Sequence, residues 1–323
     1  MNHANITRRT AIAGALASGM PAFAQPTWPT KPLKLLVGFP AGSGPDLMAR
    51  LLTEPLGKAL GEPVVVDNRP GASGNIAADL LAKATDGHTL ALLSVVNLTT
   101  APLLYPKLPY APSDFLPLTM VGSSPLILVA SNQAATGSVA DFVREARTQG
   151  DKWNFGSPGI GTVGHLGMEL VKARAGWRAV HVPFPGVPQI LNAMLGGQVQ
   201  MALVPVGQAM GAIRTGRVRA IGSTGTGRST LAPEVASLRE AGVGGVDLEV
   251  WNALAVPRSF TPANAQRLLA TVQQIIRSPE IRQQLFNQGW QAMGTSPEAL
   301  QHAIRATTEA LGGIIRTQDI RAE

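Results

Sequence analysis

Short apolar runs alternate along the chain with longer segments in which apolar residues recur every three or four positions. The run 33–39 reads as a buried strand, and 45–60 as a helix with an apolar stripe of Leu47, Ala49, Leu51, Leu52, Leu56 and Leu60. A strand at 63–66, a helix at 75–84 and a strand at 89–95 complete a βαβαβ unit, which predicts a parallel, doubly wound sheet. After a Pro-rich passage at 102–117, strand-like runs at 118–121 and 126–130 open a second alternation. It has helices at 139–148, 162–172, 188–195 and 208–215, and strands at 153–156, 179–184, 199–204 and 218–223. A strand at 248–256 precedes three helices at 262–276, 279–288 and 297–315. This tail cannot bury its own apolar faces, so it is expected to return to the first sheet. The pattern therefore predicts an α/β protein of two lobes, each a doubly wound sheet flanked by helices. Residues 25–125 with 247–323 form lobe 1 and 126–246 form lobe 2. Two connections, near Pro125 and at 245–247, make a hinge beside a ligand cleft.

Composition narrows the functional classes. The 323 residues suffice for two domains, and 45% hydrophobic against 15% charged residues marks a folded chain. The 35 Gly and 25 Pro fit frequent tight βα turns. A net charge of +7 raises the question of a nucleic-acid partner, but Lys and Arg are dispersed without a basic run, and no such partner is expected. Residues 1–24 read as an export signal: Arg8 and Arg9, a small-apolar stretch at 11–17, then Ala22-Phe23-Ala24 before Gln25. Cleavage is expected after Ala24, by the general secretory or the twin-arginine route. No later apolar run is long enough to span a bilayer, so no stable membrane insertion is expected. The absence of Cys removes disulfides, thiolate chemistry and a lipid-bearing cysteine.

Two glycine-rich turns are the candidate chemistry. Phe39-Pro40-Ala41-Gly42-Ser43-Gly44-Pro45-Asp46 joins the first strand to the first helix, where free N–H groups and the positive dipole end attract an anion; an ordinary tight turn capped by Asp46 reads equally from the residues. Gly159-Ile160-Gly161-Thr162-Val163-Gly164 matches a dinucleotide fingerprint in form. The following strand ends Val182-Pro183-Phe184-Pro185, with no acid to hold a ribose hydroxyl, so a carboxylate is the better occupant. His88, His165, His181 and His302 are isolated, and no nucleophile elbow, paired carboxylates or metal-ligand spacing is present; no cofactor, metal or catalysis is expected.

The first turn, with Ala49-Arg50 behind it, resembles the opening signature of Bug-type substrate-binding receptors of tripartite tricarboxylate transporters. Further segments agree: Val64 through Asn68-Arg69-Pro70-Gly71 to Ile76, then Leu104-Tyr105-Pro106, then Asn154-Phe155-Gly156-Ser157-Pro158-Gly159 with Gly164-His165-Leu166, then Val180-His181-Val182-Pro183-Phe184, and Leu195-Gly196-Gly197-Gln198. Order and spacing hold from about Trp28 to the C-terminus. The resemblance implies a type II-like periplasmic-binding-protein fold that closes on a small organic carboxylate and passes it to membrane permease subunits from the periplasm. It nominates Ala41, Gly42, Ser43 and Asp46 on the first lobe, with Ser94 and Asn97, and Ile160, Gly161, Thr162 and His165 on the second, with Phe184 on its rim.

Two departures bear on the ligand. Many relatives carry a Tyr-Lys-Gly type turn where this chain has Phe184-Pro185-Gly186, and an acid where it has Val204-Pro205-Val206. The expected pocket is less polar and lacks a partner for an ammonium, which points to an aliphatic or aromatic mono- or dicarboxylate and away from a free amino acid. An exported sensor signalling to a membrane receptor, and an enzyme cradling phosphate on a similar fold, are the competing readings.

Overall fold

The structure, a computed structural model, describes residues 28–134 and 137–322; the expected export segment lies outside them. β1 (Leu33–Val37) leads through the first glycine-rich turn into α1 (Gly44–Leu60). β2 (Val64–Asn68), α2 (Asn75–Ala82) and β3 (Thr89–Ser94) follow, and the three strands pair in parallel with β1 in the middle. Two single-turn helices, α3 (Val95–Leu98) and α4 (Ala101–Leu104), leave the end of β3.

The next element departs from the expected pair of short strands. β4 (Phe115–Ser131) is continuous over 17 residues. Gly122 and Pro125 read as turn punctuation in sequence, but the chain stays extended through them. Irregular register between Pro117 and Thr119 and between Met120 and Gly122 absorbs the distortion. The second alternation then runs α5 (Val139–Gln149), β5 (Asn154–Ser157), α6 (Val163–Ala175), β6 (Val180–Pro183), α7 (Val187–Leu195), β7 (Met201–Pro205), α8 (Val206–Arg214) and β8 (Val218–Ser223). β9 (Glu249–Pro257) returns antiparallel between β3 and the first half of β4.

The strand order is β2-β1-β3-β9-β4 in one lobe and β6-β5-β7-β4-β8 in the other. Each lobe thus repeats one plan, with four strands running one way and one reversed strand that arrives from the other lobe. The sheets are mixed, because the strands that cross between lobes enter in reverse. β4 changes partners at one peptide: Pro125 pairs with Glu249 of β9, and Leu126 with Pro205 of β7. Thr224, just past β8, ties the two crossings together. Its hydroxyl accepts from the Leu126 N–H at 3.0 Å and donates to the Leu248 carbonyl at 2.6 Å.

The tail forms α9 (Pro262–Arg277), α10 (Pro279–Asn287), the short β10 (Gln291–Ala292) and α11 (Pro297–Thr317). Ser278 and Ser296 start α10 and α11 by accepting the N–H three residues on, with Pro in the first turn of each. α9 packs on α1 and β10 on β4, so the tail covers the first lobe; α11 lies on β4 and also touches α6 of the second lobe.

In the second lobe, Phe142 of α5 is 1% exposed, stacked on Trp153 and edge-on to Trp177. Phe142→Ala is expected to cost about 3–5 kcal/mol by urea denaturation, because the two indoles cannot collapse into the space vacated by the ring. A cost under about 1 kcal/mol would show that this aromatic cluster does not hold the lobe.

Candidate functional site

Between the lobes lies a cavity of about 60 Å³, within some 580 Å³ of unfilled space counted out to its mouth. Its walls are mainly apolar and include Phe39, Val95, Leu126, Pro158, Leu203, Pro205, Val250 and Trp290. No described residue lining it carries a charge. Yet the start of α1 (Ser43, Pro45), of α3 (Ser94, Val95, Val96), of α6 (Thr162, Val163, Gly164), of α7 (Gly186, Val187) and of α8 (Pro205, Gln208) all reach it. First-turn amides have no acceptor within their own helix, and the dipoles put partial positive charge at these ends. The arrangement is a neutral, apolar box whose electrostatic character comes from convergent helix starts.

Ser43, Ser94 and Thr162 are the nominated residues that line this cavity. The remainder hold the turns that aim the helices. The Gly42 N–H donates to Asp46 Oδ2 at 2.8 Å, and that carboxylate also accepts from Arg50 Nε and, at 2.9 Å, from Asn68 Nδ2. Asp46 is 1% exposed, and burial works against its ionisation. The hydrogen bonds from Arg50, Gly42 and Asn68 outweigh that and hold its carboxyl below the ordinary range. Ala41 is exposed beside it. The Gly161 N–H donates to His165 Nδ1 at 3.1 Å, and Thr162 accepts from the His165 N–H while donating to the Gly159 carbonyl at 2.7 Å. Asn97 accepts from the Ser94 hydroxyl and donates to Asn75. Ala41, Gly42, Asp46, Asn97, Ile160, Gly161 and His165 are not among the residues lining this cavity; Gly42 with Asp46, Gly161 with His165, and Asn97 hold the adjoining turns. Phe184 lies in a shallower groove on the far side of Phe39 and Pro158, with Tyr105 and Gly159.

The structure adds residues that sequence reasoning missed. Asn252 of β9 is fully buried against the cavity, and neither atom of its amide has a hydrogen-bond partner; the Ser43 hydroxyl is likewise unpartnered. Trp290 closes one side, with its ring so near Gly44 that a Cβ there would meet it at 2.7 Å. Neither Asn252 nor Trp290 sits in a motif, since the tail brings both in from far along the chain.

Residues 48–320 match the family profile described as the tripartite tricarboxylate transporter family receptor. The chain belongs to that family. It is 30% identical to the protein BugT of Bordetella pertussis over 97% of this chain and 98% of that one. A protein of R. palustris solved with adipate superposes with a TM-score of 0.87 at 29% identity, over 91% of this chain and 99% of its own. MatC from Rhodopseudomonas palustris with bound malate gives 0.83 at 28%, over 89% and 100%. This is a Bug-type receptor, on the two-lobed fold of periplasmic solute-binding proteins. No described helix of the receptor is long and apolar enough to cross a membrane.

The lobes of this receptor also touch directly. The Ser73 hydroxyl donates to the Ile160 carbonyl, and the Thr100 hydroxyl to the Gly161 carbonyl, each at 2.8 Å. At another point the backbone of Gly207 meets that of Gln288 and Gly289; a Cβ on Gly207 would lie 1.6 Å from the Gln288 carbonyl oxygen. Gly207→Ala is expected to prop the lobes apart and weaken ligand binding at least tenfold by calorimetry, with the unliganded melting temperature little changed. Unaltered affinity would show that closure does not bring these backbones together.

Behind α6, His165 stacks on His181 with ring centroids 4.0 Å apart, beside Phe155. Burial first, then the neighbouring His181 and Lys172 charges, push His165 down to about 3; burial and Lys172 push His181 down to about 4. In the unfolded chain both imidazoles titrate near 6.5. Below that pH the unfolded state takes up protons that the folded state refuses. The stabilisation is therefore complete above about 6.5 and is lost as pH falls toward the folded values, by up to about 1.4 kcal/mol per pH unit for His165 and less for the partly hydrated His181. Denaturation curves at pH 7 and pH 5 should show the loss, and His165→Gln should flatten it. A variant slope equal to that of the wild type would place the acid sensitivity elsewhere.

Proposed function

We propose that the protein is an exported receptor that captures a small organic carboxylate between its lobes and delivers it to the permease subunits of a tripartite tricarboxylate-type transporter. The observation that carries this reading is the convergence of helix starts from both lobes on a cavity with no charged wall residue. Such a box suits a small anion whose chain is apolar, because the dipoles meet the charge and the walls meet the carbons. The adipate and malate held by two structural relatives support the same ligand class. Pro205 lines the cavity, so this position offers no acid to an ammonium, which disfavours free amino acids.

In this reading residues 1–24 are removed on export, the mature receptor works in the periplasm without catalysing a reaction, and the lobes are 25–125 with 247–323 and 126–246. They move about the Pro125–Leu126 peptide and the segment before β9. Closure is the signal: a ligand gripped by both lobes favours the closed shape, which the membrane partner recognises. Ser43, Ser94 and Thr162 border the bound acid, and Asp46, Asn97 and His165 fix the turns behind it.

Native mass spectrometry of receptor purified from the periplasm should show one small acid travelling with a chain that begins at Gln25. Calorimetric titration should then show binding of that acid and no response to aspartate or glutamate. Tight binding of those amino acids, with none of simple carboxylates, would sink the proposal.

A further inference from the structure

Asn252 has no structural use for its side chain. It sits in β9 between Ser94 of β3 and Gly122 of β4, is fully buried, and leaves both amide atoms unpaired. Neither neighbour bonds it: the Ser94 hydroxyl donates its proton to Asn97 and makes no bond to Asn252, and Gly122 has no side chain. Buried polar groups without partners destabilise a fold, and their retention calls for an explanation such as a group that completes them. Asn252 is one of the residues that line the ligand cavity.

An amide offers a donor and an acceptor together. A carboxylate could accept from Nδ2 but would leave Oδ1 facing a negative oxygen, and no cationic side chain lines the cavity to offset a second buried charge. A hydroxyl or carboxamide satisfies both atoms at once.

We propose that Asn252 reads an uncharged group on the bound acid that both donates and accepts, so that the receptor favours monocarboxylates bearing a hydroxyl or carboxamide over plain alkanoates and over dicarboxylates. This rests on the carboxylate reading of the cavity and narrows its ligand. Asn252 is the specificity residue, and the helix starts hold the carboxylate.

The test titrates wild type and Asn252→Leu with the straight-chain acids from butanoate to octanoate, their alpha-, beta- and omega-hydroxy derivatives, and the corresponding dicarboxylates and half-amides. Wild type should bind one hydroxyl- or carboxamide-bearing acid about 10- to 100-fold more tightly than the alkanoate of equal length, and more tightly than the dicarboxylate. Asn252→Leu should erase that preference, bind the alkanoate at least as well, and melt no lower than wild type, since an unpaired buried amide is gone. Should the leucine not fit, Asn252→Ala carries the same comparison. A dicarboxylate bound most tightly by wild type, or an equal loss across all acids in the variant, would overturn the assignment and leave the carboxylate reading standing. Wild type binding none of these acids would remove both.

Discussion

A negative charge taken out of water needs compensation, and in the carboxylate reading proposed above this cavity would supply it from helix starts, since no described residue lining it is a cation. Loose cationic side chains would attract any anion and would be hydrated in the open state. Helix starts are different: their dipoles are fixed by the fold, aligned before the ligand arrives, and need no reorganisation. Hydrogen bonds within two turns aim two of those starts. Asp46, held by Gly42, Arg50 and Asn68, sets the turn into α1, and His165, accepting from Gly161, sets the turn into α6.

The repeated sheet order gives this arrangement its geometry. In each lobe the strand ends feed helices that begin at the cleft, as expected where ligands bind beyond the carboxyl ends of parallel strands. β4 belongs to both sheets and β9 runs beside it, so the two lobes are joined through paired strands. Thr224 joins the crossings through a single hydroxyl that accepts from one and donates to the other.

Much of this is legible in the residues. The alternation of apolar runs and helical stripes places the strands and helices of both lobes, because each segment's local period agrees with its place in the sheet. The continuous β4 is not legible, since Gly122 and Pro125 carry turn chemistry that pairing on both flanks overrides. The two glycine-rich turns lead into helices whose first turns line the cavity, while Gly42 and Gly161 themselves donate their amides to Asp46 and His165, a pairing that residue types alone do not reveal. Asn252 and Trp290 leave no local trace. Their roles come from where β9 and the α10–β10 turn return, which only the tertiary fold decides.

The bonds from Ser73 to the Ile160 carbonyl and from Thr100 to the Gly161 carbonyl contain no ligand atom. They stabilise the shut form whether or not anything is inside. A receptor with such latches keeps a standing fraction of empty, closed molecules, and cargo needs to shift the balance only by the remainder. The strength of two hydroxyl bonds thus sets how much of the free energy of closure is left for the ligand to supply.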